Sequence, residues 1–247
     1  MWHLCGGLRV ELTECRRADQ AHFDVYRRFR SLRSWADWLG SHEAACDLLE
    51  STYPWGQQLP DVAITNSHES REYMAMLLNH HHRLRAEARG LETQLARCKD
   101  APHLGTMKPH DYFYAWPGLQ TVGSTRTSNN SPIKNSCRYV VTRVNGAEVV
   151  VKAEAITDAD ETGEIKLTHP QAAQHLRLAC ARTAASVQGL TLRDQRLLLL
   201  DARSPYTDHR RLYVCMSRVT RGDYLHVATA EQQAILFGKA APAAKGC

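Results

Sequence analysis

Leu197-Leu198-Leu199-Leu200, closed by Asp201, is the stretch that leaves this chain least freedom. Four consecutive leucines have neither the alternation of a half-exposed strand nor the length of a core helix. They read as a short strand buried on both faces. Such a strand needs helices above and below it, which means an α/β domain built on a parallel sheet. Polar runs flank it: Arg182-Thr183-Ala184-Ala185-Ser186-Val187-Gln188-Gly189-Leu190-Thr191 before, and Arg211-Leu212-Tyr213-Val214-Cys215-Met216-Ser217-Arg218-Val219-Thr220-Arg221 after. From Asp223 to Thr229 apolar and polar residues alternate, as in a further strand. The order is strand, glycine-containing turn, buried strand, helix with an arginine near its end, strand. It puts functional groups at strand ends and helix ends.

Upstream, Asp61-Val62-Ala63-Ile64-Thr65 reads as another buried strand. A long helix follows, opening at Asn66 with Glu69 three residues on, in the pattern of a capping box. Asp19 is a suitable N-cap for a helical stretch over residues 19–50. There Phe23, Tyr26, Phe29 and Leu32 recur at spacings of three, and Trp35, Trp38 and Leu39 continue the apolar face. Thr52 to Pro60 reads as a loop, and Leu8 to Leu12 alternates as a strand does. Residues 108–168 turn to Thr, Ser, Asn, Gly and Val. Arg138–Val144 and Ala147–Val151 flank Asn145-Gly146, the signal for a hairpin whose two turn residues both take positive φ. Asp111–Tyr114, Gly118–Val122 and Glu164–Leu167 add strands around the polar loop Gly123–Pro132. Pro170–His175 is a short helix leading into a strand over Leu176–Cys180.

Several classes are excluded. The eight cysteines form no Cys-x-x-Cys pair and fit no zinc ribbon or disulfide framework, so they read as reduced thiols. No apolar run approaches the ~20 residues of a membrane span, and no signal peptide is visible, so a soluble, intracellular protein without a membrane partner is expected. His80-His81-His82 point about 100° apart on a helix and cannot converge on one metal; no metal site is expected. The net charge of +5 is unevenly spread: residues 1–100 hold 13 basic and 14 acidic side chains, and the remainder 18 and 12. The surplus sits with the two polar runs and permits a nucleic-acid partner. Arginine outnumbers lysine 24 to 7. That bias suits fork-shaped recognition of phosphate, and a GC-rich genome produces it too.

The two polar runs resemble motifs V and VI of superfamily 1 helicases, in the branch that includes RecD and the Pif-type enzymes. Thr183, Gln188 and Gly189 match the threonine-x4-glutamine-glycine of motif V. Ser217 and Arg218 match the serine-arginine of motif VI, preceded by the apolar Val214 and Met216. The resemblance implies a second RecA-like domain, a parallel sheet flanked by helices, interrupted by a small SH3-like β-barrel insertion. Pro117-Gly118 before one strand and Asn135-x3-Tyr139-x-Val141 in the next are similar to that insertion. Residues 1–60 would then be the end of a first RecA-like domain or linker with a helical segment. Residues 61–107 and 169–236 would form the discontinuous second domain, 108–168 the insertion and 237–247 a flexible tail.

The same resemblance implies roles. Arg218 and Arg17 would touch the terminal phosphate of the nucleotide, Arg17 being five residues from Leu12 and Arg16 one register away. Gln188 and Gly189 would bind the nucleotide and couple it to the strand. Thr65, Asn66, Thr183 and Ser186 would face single-stranded DNA, with Ser67 beside them, and Arg126, Lys134, Arg138 and Arg143 would serve its backbone from the insertion. In this family ATP and Mg²⁺ sit between two RecA-like domains, the first supplying the phosphate cradle. No G-x4-G-K-[S/T] occurs in this chain; Gly238-Lys239-Ala240 lacks the hydroxyl residue and the upstream glycine. No acidic Mg²⁺ pair follows an apolar strand either. ATP and Mg²⁺ are therefore expected only together with a Walker-A-bearing first domain, upstream or on a separate chain. The sequence reads as a fragment, split product or decayed copy, acting in nucleus or cytoplasm, a viral or mobile-element origin included. Ala185 and Thr191 stand where many relatives carry a histidine and an acidic residue. The alternative is a non-catalytic module on the same fold that binds single-stranded nucleic acid.

Overall fold

The computed structural model describes residues 17–31, 41–98, 111–124, 132–154 and 163–238. The strand read over Leu8–Leu12, and Arg16, Leu32, Trp35, Trp38, Leu39 and Arg126, lie outside the described residues. In chain order come α1 (Gln20–Ser31), α2 (His42–Thr52), β1 (Val62–Thr65), α3 (His68–Glu87), β2 (Gln94–Arg97), β3 (Tyr112–Ala115) and β4 (Gln120–Gly123). The chain continues through β5 (Arg138–Val144), β6 (Glu148–Ala153), β7 (Ile165–Thr168), α4 (His169–His175), β8 (Leu176–Leu178) and β9 (Ala181–Thr183). It ends with β10 (Leu197–Leu199), α5 (His209–Met216), β11 (Leu225–Val227) and α6 (Ala230–Leu236).

Four strands make a parallel sheet in the order β11-β10-β1-β9. Its two faces are both dry, and the leucine run shows why. Leu197 and Leu199 enter one core with Val62, Ile64, Leu225 and Val227, against Tyr26 and Phe29 of α1, Leu49 of α2, and Leu212 and Met216 of α5. Leu198 and Leu200 enter the opposite core with Ala63 and Ala181, against Met74 and Leu78 of α3. Each fully buried leucine contributes about 1.5–3 kcal/mol. A polar residue anywhere in the run would be buried without a partner, so four apolar residues in a row fit only this central position. The result is a mixed α/β fold with a parallel sheet flanked by helices, consistent with a RecA-like domain.

The middle of the chain is antiparallel. One sheet has the order β7-β6-β5-β4-β8, and β2 pairs with β3 beside it. Phe113, Ile133, Tyr139, Val141, Val149, Val151 and Leu167 form its core with Ala172 and Ala173 of α4. This antiparallel structure reaches beyond residues 108–168 on both sides, to β2 and to β8. The single strand expected over Leu176–Cys180 is two strands: Leu176–Leu178 pairs antiparallel with β4, and Ala181–Thr183 pairs parallel with β1. Ala179 and Cys180 turn the chain from one sheet to the other.

Two local expectations are corrected. Neither Asn145 nor Gly146 has positive φ. The β5–β6 hairpin is closed instead by the Asn145 side chain, whose Oδ1 accepts from Ala147 N (2.9 Å) and Glu148 N (2.8 Å). The asparagine acts through its own carbonyl, and a type I′ backbone is not needed. Helix α3 is capped by Ser67, not Asn66: Ser70 N donates to Ser67 Oγ at 2.9 Å. Asn66 is drawn away into the loop after β10, as described below.

The glycines of the antiparallel sheet are not equivalent. A Cβ on Gly123 would lie 2.0 Å from the Lys134 carbonyl oxygen, whereas one on Gly146 meets nothing within 4 Å. Backbone cannot yield as a side chain can. Gly123→Ala is expected to destabilise by about 3 kcal/mol and Gly146→Ala by about 0.5 kcal/mol or less in urea unfolding. Equal midpoints for the two variants would contradict the close approach.

Candidate functional site

Strand β9 ends at Thr183 and passes into a 3₁₀ turn, Ala184–Val187. Ser186 ties this turn: its Oγ accepts from Thr183 N at 3.0 Å and donates to Thr183 O at 2.9 Å. Gln188 and Gly189 follow at the surface, and Leu190 N donates back to Val187 O at 3.1 Å. Gly189 has φ +80°, yet no atom lies within 4 Å of where its Cβ would be. The left-handed backbone, which costs other residues about 1–2 kcal/mol, therefore selects glycine here, not lack of room.

The loop after Gly189 is stitched to the end of α5. Leu192 N donates to Arg218 O at 2.8 Å, and Leu192 and Val219 form a parallel bridge. The Arg218 side chain turns back into the same place, 9 % exposed. Its Nε donates to Val214 O (2.8 Å), Nη1 to Leu190 O (3.1 Å) and Nη2 to Ser217 Oγ (2.6 Å). Ser217 Oγ in turn donates to Val214 O at 3.1 Å. The serine before the arginine thus fixes the plane of its guanidinium. Three of the five N–H donors are used and two remain.

Arg17 arrives from the other end of the chain. Its Nη2 donates to the same Leu190 carbonyl and to Thr191 Oγ1 at 2.6 Å. The threonine hydroxyl accepts without neutralising the charge, which an acidic residue there would do. What holds Arg17 in place is the segment behind it. Asp19 N donates to Thr220 O (3.0 Å), Asp19 Oδ1 accepts from His22 N (2.8 Å) as the cap of α1, and Oδ2 accepts from Gly222 N (2.7 Å). His22 is buried and joins Met216 O through Nε2 (2.9 Å) and the Tyr53 hydroxyl through Nδ1 (2.9 Å). The start of α1 and the end of α5 are thereby clamped together, and the two arginines with them.

The charges at this point are unbalanced. Burial lowers the basicity of Arg218, and Arg17 lowers it further. No carboxylate pairs with either arginine among the described residues, although other arginines of the same stretch are paired. Arg203 meets Asp47 and Glu50, Arg221 meets Asp223, and Arg196 meets Asp61. Two guanidinium groups sharing one carbonyl, with donors to spare, make a surface suited to a multiply charged anion.

The other residues singled out in the sequence are placed differently. The strand order puts β9 and β10 on opposite sides of β1, so the order of winding reverses at β1, and the carboxyl end of such a strand is where ligands of parallel sheets collect. There Thr65 is fully buried and donates to Ser67 O at 3.0 Å; its hydroxyl is spent on the turn instead of offered to phosphate. Asn66 N donates to Asp201 Oδ2 (3.1 Å), and its Nδ2 donates to Asp201 O (3.0 Å) and to Thr207 Oγ1. Asn66 therefore seals the crevice between β1 and β10. Of the four residues read as facing nucleic acid, Ser186 is exposed, Thr183 and Asn66 are partly so, and Thr65 is buried. Missed in the sequence was Leu190, since a backbone acceptor carries no residue signature. Asp19, read as a helix cap, and His22, not singled out in the sequence, lock the site together.

No protein-family model matches the chain, and no curated protein does. Similar solved structures are Pif1 helicases. That from Candida albicans is 13 % identical with a TM-score of 0.49, the match covering 89 % of this chain and 56 % of that one. Pif1 from Bacteroides in complex with ADP-AlF3 and single-stranded DNA is 15 % identical, TM-score 0.45, with coverages of 89 % and 52 %. A structure of two coordinating Pif1 helicases at forked double-stranded DNA gives 17 %, 0.45, 89 % and 49 %. The chain spans about half the length of these structures.

The clamp carries a pH signature. Burial holds His22 below the ordinary imidazole value of 6.5, against smaller upward pulls from the Met216 carbonyl and Asp19. The unfolded chain therefore takes up this proton first as pH falls, and the stability His22 contributes is present above pH 6.5 and lost below it. His22→Gln should lower the melting temperature at pH 7.5, and the gap to the parent should narrow by pH 5.5. The other histidines titrate in both proteins and cancel. A gap independent of pH would refute the assignment.

Proposed function

We propose that this chain is the C-terminal part of an ATP-dependent DNA helicase, supplying phosphate-contacting arginines and contacts to single-stranded DNA. The supporting observation is the convergence of Arg17 and Arg218 on the Leu190 carbonyl, with no carboxylate paired to either among the described residues. These are the two arginines that the helicase resemblance selects, 201 positions apart in the chain, and their meeting place is the exit of motif V. In this reading the spare guanidinium donors take the γ-phosphate and stabilise charge on the transferring phosphoryl group. Gln188 and Gly189 flank that point at the surface, so a change in nucleotide state passes to Thr183 and Ser186 through one 3₁₀ turn. The strand runs over Thr183 and Ser186, and residues 108–168 act as the SH3-like insertion of a discontinuous second RecA-like domain, 61–107 and 169–236. A first RecA-like domain supplies the Walker A lysine and the Mg²⁺ site, so the isolated chain hydrolyses ATP at background rate.

The arginines around α5 separate the roles. Arg211 is exposed and its Nη1 is engaged by Tyr206 O, while Arg218 is buried beside Arg17. With a Walker-A-bearing first domain added in trans or fused, Arg218→Lys should reduce DNA-stimulated ATP hydrolysis by about 10³–10⁵, the usual cost of losing such an arginine. Lysine keeps the charge but not the fork. Arg211→Lys should stay within about twofold of the parent, as surface substitutions remote from a site do. Steady-state phosphate release measures both. Equal activities in the two variants would remove Arg218 from the nucleotide site, as would hydrolysis by the isolated chain.

A further inference from the structure

A second group of arginines, one of them without a carboxylate partner among the described residues and half-buried, lies where the two sheets meet. A pocket of about 250 Å³ opens between the first turns of α3, the strand β8 and the strand β3. Arg71, Arg177, Tyr112, His68 and Gln174 line it, and so does the Glu72 carboxylate that partners Arg71. Arg177 is half-buried, and no hydrogen bond or ion pair reaches its guanidinium among the described residues. Burial lowers its basicity first, and the neighbouring charge of Arg71 lowers it further. Arg71 has a partner, Glu72, at 2.9 Å. The row continues: Arg182, 9 % exposed with Nε on Ala179 O at 3.0 Å, feels the charges of both Arg138 and Arg177. Arg138 is paired with Glu154 at 2.8 Å. Four arginines and two glutamates thus cross from α3 over β8 and β9 to β5. A half-buried guanidinium with no acceptor and another guanidinium beside it is costly unless an anion joins it.

The shape of this feature indicates which anion. A row of forks is suited to a repeating negative charge and not to a single carboxylate. The pocket is smaller than the roughly 300–1,000 Å³ of free drug-sized ligands and admits one unit of a polymer. A partly exposed tyrosine ring beside arginines is the pairing on which bases of single strands stack. Arg177 lies six residues before Thr183, at most about 20 Å of extended chain, within the span of a few nucleotides. We propose that the pocket seats one phosphodiester and its base, Arg177 and Arg71 taking the phosphate and the Tyr112 ring the base. This rests on the reading above that the chain contacts single-stranded nucleic acid.

Fluorescence anisotropy of a labelled 16-nucleotide oligothymidylate, titrated with the full chain between 50 and 300 mM salt, tests it. The parent should bind with an affinity that falls with salt. Arg177→Ala should weaken binding about tenfold and reduce the log–log salt slope by about 0.7, the share of one phosphate on a single strand. Arg177→Gln, of similar length, should do the same and guards against misfolding of the alanine variant. Tyr112→Leu should weaken binding about tenfold with an unchanged slope, as loss of stacking does. Arg89→Ala, at an exposed arginine just beyond the far end of α3, should change neither. Parent-like binding by folded Arg177→Ala and Arg177→Gln overturns the pocket and leaves the strand reading standing. No binding by the parent at 50 mM salt overturns both. Displacement of the oligonucleotide by inorganic pyrophosphate as effectively as by unlabelled oligonucleotide, at equal phosphate concentration, would make this a free-phosphate pocket and overturn the strand assignment.

Discussion

One carbonyl oxygen, that of Leu190, takes hydrogen bonds from two arginines that start at opposite ends of the chain. Like charges do not approach unless something else holds them, and here the holding is done by the Asp19 carboxylate, whose two oxygens are spent on backbone amides, and by the His22 ring. Asp19 binds two backbone amides, one in α1 and one after motif VI, and His22 bridges α1 to the last carbonyl of α5. The electrostatic strain is supported by backbone geometry and packing. That is the arrangement expected of a preorganised anion site, where the cost of assembling the donors is met in folding, before any ligand arrives.

The clamp in turn depends on the dryness of the parallel sheet. α1 and α5 lie on the same face because Leu197, Leu199, Val62 and Ile64 present apolar surface that both must cover. With α5 seated there, its C-terminal end can only emerge beside the loop that leaves β9, two strands away across β1. The motif residues are thus neighbours by topology, and hydrogen bonds at the Leu190 carbonyl add the final ångströms.

Several arginines are tied to carboxylates. Arg203, Arg196, Arg221 and Arg138 each meet a carboxylate, and so act as surface or junction ties. Such ties contribute little individually. Among the described residues Arg17, Arg218 and Arg177 have no such pair, as others such as Arg211 have none; these three lie in two places, one at the exit of motif V and one where the antiparallel sheet joins the parallel one. Composition alone, with 24 arginines, offers no way to tell the groups apart.

The sequence by itself determined the layered architecture. Four leucines in a row admit no solvated face, Asp19 can only cap, and an Asn-Gly between two alternating runs must turn the chain; these are statements about single residues and their nearest neighbours. It also determined which short runs carry arginine, serine, glutamine and glycine in a pattern worth attention. Tertiary structure alone decided how the turn at Asn145 is made, that Ser67 and not Asn66 caps α3, and that residues 176–183 belong to two sheets. In each case several local solutions have nearly equal energy, and the choice falls to a partner far away in the chain: Asp201 and Thr207 for Asn66, β4 and β1 for the divided strand. The meeting of Arg17 with Arg218 is of the same kind. A guanidinium finds its acceptor by position in space, and that position is fixed only when the core beneath it has closed.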